Sequence, residues 1–77
     1  MNLRQFHQRQ IAFQDLIYNT DRWTEVFPDW AEEIVFDRHG NCIAYENSAD
    51  PEGEEKDYPQ FSGLFENRVF VKSKLNK

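Results

Sequence analysis

Residues 31–45, AEEIVFDRHGNCIAY, hold two short apolar runs separated by a turn signal, with acid on both shoulders. This pattern predicts a β-hairpin, and no other stretch specifies its local structure so strongly. Asp37 and Gly40 stand at the first and fourth turn positions, the preferences of a type I turn followed by a left-handed glycine, which closes a three-residue loop with a bulge. In that register Asp37 faces Asn41, Phe36 faces Cys42, Val35 faces Ile43 and Ile34 faces Ala44, so Ile34, Phe36, Cys42 and Ala44 share one apolar face. A two-residue His39-Gly40 turn would pair Phe36 with Ile43 and Ile34 with Tyr45 instead, again with an apolar face. The Asp-x-x-Gly spacing favours the bulge. Either register requires something to cover that face.

The N-terminal stretch supplies it. Leu3, Phe6, Phe13, Leu16 and Ile17 fall on one side of a helical wheel, with Arg4, Gln8 and Asp15 on the other, which predicts an amphipathic helix over about 3–18. Asn2 is placed to cap it, with Gln5 three residues on as a relative of the capping box. Gln10 lies within the apolar stripe and reads either as a rim residue with its amide in water or as a polar contact that fixes a partner or register. Asn19, Thr20 and Asp21 end the helix or start a new turn, residues 22–27 read as a short helix or turn stopped by Pro28, and Pro28 opens a further turn.

After Tyr45, the stretch ENSADPEGEEKDYP carries six acids, Gly53, Pro51 and Pro59 and reads as a mobile acidic loop over 46–58. Tyr58, Phe61, Leu64 and Phe65 resume the aromatic run, and RVFVK predicts a strand over about 68–72. There Val69 and Val71 point one way and Phe70 the other, with Arg68 and Lys72 guarding an edge. The expected fold is α+β over a single small domain, residues 1–77: an N-terminal amphipathic helix packed on a small antiparallel sheet made of the central hairpin, about 33–46, and the C-terminal strand.

A chain of 77 residues buries only about 60% of the surface its unfolded form exposes, and its stability is expected at about 4 to 12 kcal/mol. Large side chains must therefore fill a thin core, and aromatics make up 16% of the sequence. Trp23, Phe27 and Trp30 cluster near the hairpin. They are expected to close the core, the sharper alternative being a partly exposed hot spot for a protein partner.

Candidate chemistry is sparse. The single cysteine, Cys42, permits neither an intrachain disulfide nor a cysteine-based zinc site, and a strand position with no basic neighbour predicts a small buried hydrophobe. One free cysteine and an N-terminus without an apolar core segment suit a cytoplasmic, reducing setting. His7 and His39 lack ligand-like neighbours at metal spacing. Counted from Asp50, the sixth and twelfth places of a calcium loop hold Glu55 and Phe61 instead of Gly and Glu, which argues against an EF-hand. No cofactor, metal or catalytic constellation is expected, and the chain reads as a non-enzyme.

Charge placement is more informative than the net −5. Residues 1–25 are neutral, residues 26–66 hold eleven acids against Arg38 and Lys56, and Arg68, Lys72, Lys74 and Lys77 follow. Such a field repels nucleic acid and anionic membranes and attracts a basic protein surface. Glu32, Glu33, Asp37, Glu46, Asp50, Glu52, Glu54, Glu55 and Asp57 are the candidate contact acids, with Trp23 and Trp30 beside them. The expectation is an acidic protein-binding module that imitates a row of phosphates and occupies a basic groove on a nucleic-acid-binding protein. By analogy of size and charge it is comparable to small inhibitors carried by phages and other mobile elements against host defences. The alternatives are an ordinary solubilising face and a structural or assembly subunit that homo-oligomerises through its aromatic surface.

Overall fold

The computed structural model describes residues 2–65 and, for the main chain, 70–73. Helix α1 spans Leu3–Tyr18 and begins where capping chemistry dictates. The Asn2 side chain accepts from Gln5 N–H at 2.8 Å, and the Gln5 side chain accepts from Asn2 N–H at 3.4 Å. A 3₁₀ helix, Thr20–Glu25, follows, then strands β1 (Glu33–Phe36), β2 (Cys42–Tyr45) and β3 (Glu55–Asp57), a 3₁₀ turn at Pro59–Phe61, and β4 (Phe70–Ser73). The four strands form one antiparallel sheet in the order β3-β2-β1-β4. An amphipathic helix on an antiparallel sheet makes the fold α+β, as the residue pattern predicts.

The hairpin adopts the bulged register, with Val35 opposite Ile43 and Phe36 opposite Cys42. Asp37 N–H donates to Asn41 O at 3.0 Å, Gly40 N–H donates to Asp37 O at 2.9 Å, and Gly40 takes φ 82°, the left-handed geometry this loop requires. The Asp37 carboxylate ties the loop further, accepting from the N–H groups of His39 and Asn41 and from Asn41 Nδ2. These bonds favour the ionised form and hold its pKa below the ordinary value, the Asn41 N–H acting most strongly. The tip is also clamped from a distance, since Gly63 N–H, itself at φ 84°, donates to Gly40 O at 3.0 Å.

The core lies between α1 and one sheet face. Ile34, Phe36, Cys42 and Ala44 are buried beneath Phe13, Leu16 and Ile17 of α1, with Trp23, Phe27, Tyr58, Leu64 and Phe65 closing the sides. Phe13 is the hub, its ring centroid 5.2 Å from Phe36, 4.9 Å from Phe61 and 5.9 Å from Phe65. Such aromatic contacts add about 0.5 to 1.5 kcal/mol each beyond the area they bury. Cys42 is buried among these groups, and desolvation pushes its thiol up to about 12.

Several expectations are corrected. Leu3 does not join the core but is 72% exposed. It stands at the very start of α1, ahead of Phe6, which is half-buried and packs against the core. Trp23 has no exposed area; its indole N–H donates to Ile17 O at 3.1 Å, which commits it to the core and removes it from any contact surface. Gln10 is not a rim residue in water, because its Nε2 donates to Leu64 O at 2.6 Å.

The acidic loop is not a structureless 46–58 excursion. Residues 55–57 pair with β2, and the segment before them turns through Asp50 N–H to Asn47 O and Gly53 N–H to Asp50 O. Of the C-terminal strand expected at 68–72, the observed β4 covers Phe70–Ser73 beside β1. Residues 68 and 69 and the facing of the strand's side chains lie outside the described residues.

Candidate functional site

Burial alternates along the hairpin, so Glu33, Val35, Ile43 and Tyr45 occupy the sheet face away from α1, all of them half-buried. Strand β3 extends this face. Asp57 is the register partner of Ile43 and Glu55 that of Tyr45, so both carboxylates flank the Ile43/Tyr45 strip, while Lys56 pairs with Ala44 on the helix side. The Lys56 ammonium lies 5.4 Å from the centroid of the Tyr58 ring. All three β3 residues are exposed.

Tyr45 registers this arrangement electrically. Its phenol is pushed above the ordinary tyrosine range, first by desolvation and then by Glu55, Asp57 and Asp37. It is therefore a neutral hydroxyl donor at pH 7, set among carboxylates. Next to the C-terminal end of β3 is a shallow cavity of about 340 Å³ lined by Asn41, Cys42, Ile43, Asp57, Pro59 and Ser62.

The candidate acids do not form one row. Glu55 and Asp57 stand side by side on the open face and are held by no hydrogen bond or ion pair among the described residues. Glu33 shares that face, but its carboxylate accepts from Ser48 N–H at 3.0 Å and Ser48 Oγ at 2.8 Å, fastening the loop to β1. Asp37 is committed to the hairpin tip, and Asp50 Oδ1 accepts from Glu52 N–H within its turn. Glu46 N–H donates to Glu54 O, so the ladder continues and alternation sets these two residues with Ala44 and Lys56, on the other side from Glu55. Glu52 is exposed on the loop, and Glu32 and Trp30 are half-buried, with Trp30 packed against the core.

Ile43 and Tyr45 were not candidate contact residues from sequence, although their alternation with Cys42 and Ala44 carries the signal. Among the described residues, no three His, Cys, Asp or Glu side chains come together as metal ligands, and no helix is long and apolar enough to cross a membrane. No known protein family, curated protein or solved structure matches this chain.

Proposed function

We propose that this chain is a non-enzymatic binding module whose acidic sheet face, centred on Glu55 and Asp57, engages a basic protein surface. The observation that carries this reading is the pairing of two exposed carboxylates, held by no described residue, with the half-buried strip of Ile43 and Tyr45. Carboxylates steer and orient a cationic partner, whereas the apolar strip supplies the buried area that charge alone does not. The partner class is the basic groove of a nucleic-acid-binding protein, which the module blocks by standing in for phosphates. On β3 the stand-in is a pair of acids two residues apart, about 6.6 Å along the strand, on the same sheet face as Tyr45. Self-assembly through an aromatic surface is less well supported, because Trp23 and Phe27 are buried.

The test is capture of proteins from the native host on the immobilised chain at low and high salt. Partners held through Glu55 and Asp57 elute as salt shortens the screening length to a few ångströms, and the double variant Glu55→Lys/Asp57→Lys retains none of them. Added nucleic acid displaces the same partners. Equal capture by the double variant would sink the proposal, and captured partners indifferent to nucleic acid would remove the phosphate-mimic part of it.

A further inference from the structure

Among the described residues strand β3 ends the sheet, and none of them fills the outer side of its main chain. Glu46 N–H donates to Glu54 O at 2.9 Å and Tyr58 N–H donates to Cys42 O at 2.8 Å. Those bonds lie two residues to either side of Lys56, so antiparallel alternation directs the Lys56 main chain at β2. The N–H and C=O groups of Glu55 and Asp57 therefore point outward, and no described residue meets them. An open edge of this kind is a template for another strand.

The side chains determine which strand can use it. Two copies of β3 paired antiparallel about Lys56 would set Glu55 against Asp57 on both sides, like charges directly opposed, which disfavours self-pairing. A strand with Lys or Arg at alternate positions would set a cation against each carboxylate, on the face that Tyr45 and Ile43 already occupy. Resting on the reading of this face as a basic-protein site, we infer that β3 binds its partner by strand addition, accepting an extended segment with basic residues at every second position.

The experiment titrates the isotope-labelled full chain with two nine-residue peptides of identical Lys/Thr composition, one alternating and one with its lysines in a single block. The alternating peptide is expected to bind about fivefold tighter, from two favourable cross-strand charge pairs, and to shift the Glu55 and Asp57 amides and slow their exchange. Asp57→Pro deletes an outward N–H but no bond to β2, while Asp57→Asn deletes only the charge, so strand addition makes the Pro variant the weaker binder. Equal affinity for the two peptides, with those amides unmoved, would overturn strand addition and leave the basic-surface reading standing. Failure of both peptides to bind at low salt would overturn the two together.

Discussion

Tyr58→Phe removes one oxygen from the interior and leaves every ring contact in place. The Tyr58 side chain is 3% exposed, and its hydroxyl has no hydrogen-bond partner among the described residues. Its ring lies edge-on to Phe27 at 5.0 Å and stacks on Phe61 at 6.1 Å. A buried hydroxyl without a partner costs about 1 to 3 kcal/mol, so the substitution is expected to stabilise the fold by up to that amount. For a domain of this size each kcal/mol moves the midpoint by about 4 to 8 °C. Urea titration followed by tryptophan fluorescence should show a higher midpoint at unchanged slope, and thermal melting should show the corresponding rise. Tyr58→Leu is the contrast: it removes the same hydroxyl but also both aromatic contacts, at about 0.5 to 1.5 kcal/mol each, so its midpoint should fall below that of the Phe variant. A Phe variant less stable than the parent would refute the reasoning, because the hydroxyl would then be bonded in the folded state. Alkaline pH gives a second readout. Burial first, and the nearby Cys42 second, raise the phenol above its ordinary 10.0. The unfolded chain ionises there first, so the stability contributed by the neutral phenol is intact below pH 10 and lost above it, and the Phe variant loses less.

The same linkage makes Cys42 the earlier alkaline liability. Its thiol rises from 9.0 to about 12 on folding, so between those values only the unfolded chain ionises, and stability falls by up to about 1.4 kcal/mol per pH unit. Cys42→Ala should flatten that slope in urea titrations at pH 9 to 11, and an unchanged slope would disprove the assignment. At the acid end Asp37 works in the opposite sense. Its lowered pKa contributes stability above 3.8 that is lost as pH falls. Asp37→Asn keeps the Oδ1 acceptor for His39 and Asn41 but loses the charge and the Oδ2 acceptor, so it should be less stable than the parent at pH 7 and less pH-dependent between pH 5 and 3.

How much of this was legible in the residues depends on how far each interaction reaches along the chain. The start of α1 is set by Asn2 and Gln5, three residues apart, and the hairpin register by Asp37 and Gly40, also three apart. The cap was readable and the turn spacing favoured the bulged register over the two-residue turn, because in each a side chain and its backbone partner lie within one turn of each other. Strand β3 was not readable, since Glu-Lys-Asp has no apolar alternation to reveal it. It is a strand because β2 offers it a ladder and because Tyr58, just beyond it, is drawn into the core against Phe27.

The candidate site divides along the same line. Composition and charge placement determined that this chain carries a strongly acidic middle and that a few aromatics must build its core. Only the tertiary structure separated the acids into distinct environments, fixing Glu33 on Ser48 and Asp37 on its own loop while no described residue holds Glu55 or Asp57, on the face of Tyr45. It likewise withdrew Trp23 into the interior and joined Gln10 to Leu64, 54 residues away. Local chemistry sets the caps and turns because their partners are neighbours in sequence. Burial and strand pairing are settled between segments far apart, where only the closed core decides which side chain is enclosed and which is left exposed.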